Sequence, residues 1–203
     1  MTDYSTTAKR ASLGIALVTV ITLLTRINLR TSEDGGVLGA ILYLSQFFTI
    51  LTNAIIMVVM ALIASGRNVS VRWVKTVVIA IVIVGIIYHL LLAHLVDFTG
   101  LAFWADHGVH TVVPALSLVW WLFLVSKPAF QWSDLGLWVQ WPIAYCTYIL
   151  IRASFSGFYP YPFLNLPELG WNGLAVSIAG LLVSFIVAGL VITAVGRVVS
   201  IRS

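Results

Sequence analysis

The sequence predicts an all-α, polytopic membrane protein: six transmembrane helices in one bundle, forming a single domain over residues 1–203, with both termini cytoplasmic. Of the 203 residues, 61% are hydrophobic and 9% charged, and the mean hydropathy is +1.05. That mixture lies outside the range of soluble globular domains. Apolar runs of about 17 residues or more, long enough to cross a bilayer, recur at 12–30, 37–64, 76–94, 107–125, 137–152 and 172–195. Charge asymmetry then sets the orientation. With the N-terminus inside, Lys9, Arg10, Arg67, Arg72, Lys75, Lys127, Arg197 and Arg202 are cytoplasmic, eight of the eleven basic residues, while Arg26, Arg30 and Arg152 fall outside. The formal charge of +4 is therefore a topology signal, and no nucleic-acid partner is implied. Cys146 stands alone, so no internal disulfide forms.

The first run follows Lys9 and Arg10 but has no small-residue cleavage site, and five further runs come after it. It is read as a retained helix rather than a signal peptide. The second contains "YLSQFFTILTNAII", in which Ser45, Thr49, Thr52 and Asn53 share one helical stripe facing the bundle. A rise of about 1.5 Å per residue from Leu38 puts Thr49 about 16 Å in, near mid-depth. Hydroxyls in membrane helices commonly bond to their own i−4 carbonyl or serve as packing contacts, so each one alone says little. The third run places His89 inside the span, with His94 and Asp97 at its outer end. The fourth begins with "DHGVHTVVP", where Pro114 predicts a kink near His110.

The fifth run sets Tyr145, Tyr148 and Arg152 on one face that ends at the outer boundary. After it, "SFSGFYPYPFLNLPELGW" contains Pro160, Pro162 and Pro167, a stiff aromatic loop that either caps the bundle or merely connects two helices. Trp73, Trp104, Trp132, Trp138 and Trp171 fall near predicted helix ends, as an aromatic belt would.

Ionisable groups near a span are costly in hydrocarbon and merit a chemical hypothesis. His94, Asp97, His107 and His110 have the ligand types of a zinc site, but no cysteine and no H-E-x-x-H pattern accompany them. A haem needs histidine pairs separated along facing helices, whereas three of the four histidines cluster at one boundary. No metal and no cofactor is implied. The remaining option is a hydroxyl nucleophile activated by a histidine. Thr49 and His110 lie on helices that can meet, but no G-x-S-x-G elbow is present and spacing alone does not pair them.

Taken in order, "QFFTILTN" at 46–53, "HGVHTVVP" at 107–114 and "SGFYPYPFLN" at 156–165 resemble motifs of the bacterial six-proline (Pr-six-Pr) membrane proteins. The chain has six prolines. The trio is also similar to that of the animal androgen-induced and androgen-dependent membrane hydrolases, which act on fatty acid esters of hydroxy fatty acids through a threonine and a histidine. Residue by residue, the resemblance implies Thr49 as nucleophile and His110 as general base. It implies a multi-pass protein of a bacterial inner membrane with a lipid ester as substrate and the bilayer as its setting. His89, Tyr148, Arg152, Asn53 and His107 are then the candidates for binding substrate or stabilising an oxyanion. The chain has Thr52 and Asn53 where the animal segment carries an acidic residue three positions on, which leaves any third orienting group unassigned, and it is one residue shorter before Pro114. The alternative is a non-enzymatic lipid or small-molecule binding or transport protein using the same polar groups.

Overall fold

The computed structural model describes residues 4–202, with side chains through 199. The Arg202 side chain, counted above among the inner cations, lies outside the described residues. The eight α-helices are α1 (Thr6–Thr31), α2 (Val37–Leu44), α3 (Phe48–Ala64), α4 (Val71–Ile87), α5 (Gly100–His107), α6 (Val113–Leu124), α7 (Ser133–Ser156) and α8 (Leu166–Arg202), with no strand among the described residues. Four segments are long and apolar enough to cross a membrane: Thr6–Thr31, Val71–Leu95, Gly100–Leu124 and Leu166–Val199. The pair α2 and α3, bent by 103°, makes a fifth if taken as one broken span. The predicted run 137–152 lies inside α7, which has 24 residues but, with Gln140, Pro142 and Arg152, is less apolar than the other four.

Several elements differ from the sequence reading. The predicted continuous helix over 37–64 is interrupted at residues 45–47, so Ser45 closes α2 and Thr49 falls in the first turn of α3. Depth counted along one straight helix therefore does not apply to Thr49. The segment before His107 is helical from Gly100. At the far end, Pro167 sits in the first turn of α8, where a missing N–H costs nothing, and the backbone breaks at Gly170, whose φ of 63° is left-handed.

Two π-helical turns shape the interior. In Tyr88–Leu92 the Ala93 N–H reaches back five residues to the Tyr88 carbonyl, and in Gly108–Val112 the Val113 N–H does the same to Gly108. The second turn lies just before Pro114, which has no N–H to return to His110, so the expected disturbance appears as a widened turn. Close approach at this level depends on Gly108. A Cβ there would lie 2.2 Å from Thr22 Cγ2 on α1, so a larger residue would push the helices apart. Small residues at such crossings let backbones pack where lipid supplies little drive for association.

The core is centred on α4, half of whose span is buried against 17% for α8. Trp120 and Trp121 of α6 and Ile56, Met60 and Ile63 of α3 pack with it. Trp73, Trp104, Trp132 and Trp171 are exposed, but Trp138 is buried in the core beside Gly189 rather than at a surface belt. One end of the bundle gathers the N-terminal segment, the 65–70 turn and the 125–132 loop: the Tyr4 hydroxyl donates to Val69 O (2.8 Å), and Arg72 binds Asp134 (2.7 Å) and Gln131 (2.6 Å). The 32–36, 93–99 and 157–165 connections lie at the other end, where Tyr43 and Phe158 rings meet at 6.1 Å.

Candidate active site

No proline or glycine accounts for the break between α2 and α3. Its partners come from α7. Tyr145 OH donates to Gln46 O (2.7 Å), and Arg152 Nη2 donates to Leu42 O (2.8 Å), answering carbonyls that the end of α2 leaves free. Arg152 Nη1 also donates to Ser45 Oγ (3.1 Å) and Tyr148 OH (2.9 Å). Tyr148 and Arg152 thus sit together as the sequence face predicts, but they brace the bend and do not line the main cavity. The bend carries Thr49 to the N-terminal turn of α3, facing the π turn of His110.

There the Thr49 hydroxyl meets His110 Nε2 at 3.1 Å. The other ring nitrogen decides the direction of that bond. His110 Nδ1 lies 3.1 Å from the Asp106 backbone carbonyl and 3.3 Å from its carboxylate Oδ1. A carbonyl only accepts, so Nδ1 carries the proton and Nε2 presents a lone pair to the Thr49 O–H. Asp106 Oδ1 is in turn 3.5 Å from Arg26 Nη1, with the carboxylate side chain 3% exposed. The Tyr88 ring stacks on the imidazole, centroids 3.9 Å apart and planes 11° from parallel. The two π turns thus meet face to face and fix the plane of the His110 ring.

Asn53 ties the Thr49 helix to its neighbour. Fully buried, it donates through Nδ2 to Thr49 O (2.8 Å) and to Val109 O (3.1 Å), linking α3 directly to the π turn. Thr52, on the same stripe, accepts from Trp141 Nε1 (2.9 Å) and so serves packing between α3 and α7.

Thr49 and His110 open onto a cavity of about 630 Å³ lined also by Arg26, Arg30, Tyr43, Tyr88, Asp106 and Tyr161, with Leu29, Leu92, Leu95 and Phe98 among its apolar walls. The volume suits a small molecule or part of a lipid chain. Its roof is the proline-stiffened loop, from which Phe158, Pro160, Tyr161 and Pro162 reach the lining. The Tyr161 phenol lies beside the Thr49 hydroxyl and the backbone N–H groups of Phe48 and Thr49, donors that a helix start leaves without intrahelical partners. Burial pushes the Tyr161 phenol above its usual pKa, so it keeps its proton and remains a donor.

The remaining predicted residues lie apart from this cavity. His89 Nε2 is 2.9 Å from Thr111 Oγ1, and His107 Nδ1 is 3.2 Å from Phe103 O with its ring stacked on Phe103 at 4.0 Å. Both line a smaller neighbouring cavity. Among the described residues no group of three or more His, Cys, Asp or Glu side chains is arranged to hold a metal, so His94, Asp97, His107 and His110 do not converge on one ion. Arg26, Tyr88, Asp106 and Tyr161 also belong to the site, beyond the residues that the sequence motifs single out. A signal existed for Asp106, since D-x-x-x-H places carboxylate and imidazole on one helical face. For Tyr161 it was the aromatic run "FYPYPF". For Arg26 and Tyr88 only tertiary packing reveals the role.

No protein-family profile, curated protein or solved structure matches the chain.

Proposed function

We infer that the protein is an intramembrane hydrolase of lipid, that is fatty acyl, esters, with Thr49 as nucleophile and His110 as general base. The carrying observation is the Thr49–His110 contact at 3.1 Å, with His110 Nδ1 held by a carbonyl that can only accept. Nucleophile, base and orienting group in one line are the requirements of acyl transfer by a hydroxyl. In the reaction, Thr49 Oγ attacks the acyl carbon while Nε2 takes its proton. The imidazolium returns that proton to the leaving alkoxide, and an acyl-Thr49 remains. Water then adds to the acyl carbon through the same base, the C–O bond to Thr49 breaks, and Thr49 recovers its proton. Tyr161 and the first N–H groups of α3 surround the place where the carbonyl oxygen becomes charged. Asp106 acts through His110 as a positioning residue.

The likeness of the Thr49, His110 and Tyr161 segments to the six-proline and androgen-induced families supports this reading and the six-span topology with cytoplasmic termini in a bacterial inner membrane. In that topology α7 and the α2–α3 pair each count as a span, and the cavity faces the outer leaflet. Exposed Leu95, Val96 and Phe158 at the cavity rim suit lateral entry of an acyl chain.

The test is hydrolysis of a p-nitrophenyl acyl ester by the purified protein. Activity that is present in wild type and absent from Thr49→Ala and His110→Ala supports the reading. Tight lipid binding without turnover in all three favours a non-enzymatic carrier. For topology, an impermeant thiol reagent applied outside is expected to reach a cysteine placed at Glu33 and not one placed at Arg67.

A further inference from the structure

The Thr49 cavity has a neighbour of different character. A second cavity, about 220 Å³, is lined by His89, Ala93, Asp97, Phe103 and His107, and it shares Tyr88, Val96, Phe98 and Asp106 with the first. Counting shared Asp106, four of its nine lining residues are titratable His or Asp side chains, whereas aliphatic and aromatic groups dominate the larger cavity. His89, Asp97 and Phe103 are exposed, so the space reaches the surface, while Tyr88 and Asp106 form a buried inner wall. Asp106 Oδ1 serves His110 and Arg26, while Oδ2 is buried without a hydrogen bond of ordinary geometry, the Tyr88 phenol standing close enough to interact with the carboxylate. A buried carboxylate oxygen is normally satisfied. Where protein supplies no donor in a polar, roomy place, water does so. A volume of 220 Å³ has room for several waters at about 30 Å³ of liquid each.

Resting on the hydrolase reading above, we propose that this second cavity is the water entrance of the enzyme, separate from the apolar cavity that admits the acyl chain. While a lipid chain fills the larger cavity, water cannot arrive by that route. It enters past His89, Asp97 and His107, is held at Asp106 Oδ2, and passes the Asp106–Tyr88 wall to the acyl carbon on Thr49. Its oxygen forms the new bond to the acyl carbon, its proton goes to His110 Nε2 and then to the departing Thr49 oxygen, and a carboxylic acid leaves. The polar cavity thereby determines that the acyl group is transferred to water.

Two substitutions obstruct the entrance without touching the Thr49 cavity. Ala93→Phe fills it from the turn after α4, and Asp97→Leu removes a polar group from its exposed wall. In each, the rate of covalent labelling by an alkyl fluorophosphonate is expected to stay within about twofold of wild type, because labelling needs the nucleophile and base but no water. After mixing with a p-nitrophenyl acyl ester, intact mass is expected to show an acyl-enzyme decaying about tenfold or more slowly than in wild type. Normal labelling with an unchanged decay rate in both variants would overturn the water entrance and leave the hydrolase reading standing. Loss of labelling and of decay in the same proportion would also overturn it, since both would then report a disturbed dyad. A wild-type protein that neither labels nor acylates removes the hydrolase reading itself, and this proposal with it.

Discussion

Thr49 and His110 are 61 positions apart in sequence and 3.1 Å apart at their side-chain ends. Two backbone irregularities make that contact: the bend before α3, which sets Thr49 on a first helical turn, and the π turn before Pro114, which swings His110 toward it. The first is not local in origin, whereas the second begins with Pro114 and is completed by packing. The bend is held by Tyr145 and Arg152 from α7, and the π turn packs against Tyr88 on the matching turn after α4.

Asp106→Asn is expected to slow ester turnover by about 10- to 100-fold with little change in KM. The loss should fall short of the roughly 10,000-fold seen when an orienting aspartate alone sets the histidine tautomer, because here the Asp106 backbone carbonyl also holds Nδ1–H at 3.1 Å. Steady-state kinetics on a p-nitrophenyl ester gives the answer. A loss as large as that of His110→Ala would mean that the carbonyl does not fix the ring.

Tyr161→Phe removes a hydroxyl but keeps the ring that stacks on Phe163 at 5.1 Å and meets Phe47 edge-on at 6.3 Å. Thermal stability should change little. If the phenol stabilises the oxyanion, kcat falls by about 100-fold while KM holds. An unaltered kcat would confine Tyr161 to roofing the cavity.

Asn53→Leu leaves the carbonyls of Thr49 and Val109 without the amide that joins them. A cost of about 1–3 kcal/mol is expected for the unpaired groups, seen as a lower Tm in detergent. Fluorophosphonate labelling should slow as well, since the same amide sets the Thr49–His110 register. A drop in Tm with labelling unchanged would limit Asn53 to a structural clamp.

How much of this was legible in the sequence depends on whether the cause is local. The apolar runs located the helices, but ends such as Gly100–His107 escaped because their residues are mixed in character. The break at 45–47 left no trace in its own residues, since the groups that answer its carbonyls are about a hundred positions away. Tyr148 and Arg152 do share a face, as their spacing indicates, yet that face meets the end of α2 and not the cavity. Asp106 was legible by its i−4 relation to His110, whereas Arg26 joins the site only through the packing of α1. The pairing of Thr49 with His110 came from motif likeness and not from spacing, which constrains only residues on one helix.

Gly108→Ala should destabilise the bundle by roughly 1–3 kcal/mol, the usual range for overpacking, because its Cβ would meet Thr22 Cγ2 at 2.2 Å. Thr22→Ala in the same chain removes that methyl and should restore most of the Tm, a non-additivity expected of residues in contact. Additive losses would place the strain elsewhere.

The hydrolase reading requires that Thr49 be the residue that becomes acylated. Peptide mass mapping after reaction with an alkyl fluorophosphonate tests it most directly. One adduct per chain is expected, on Thr49, and it is expected to disappear in His110→Ala. An adduct on Ser45 or any other hydroxyl, or labelling that persists undiminished in Thr49→Ala, would contradict it.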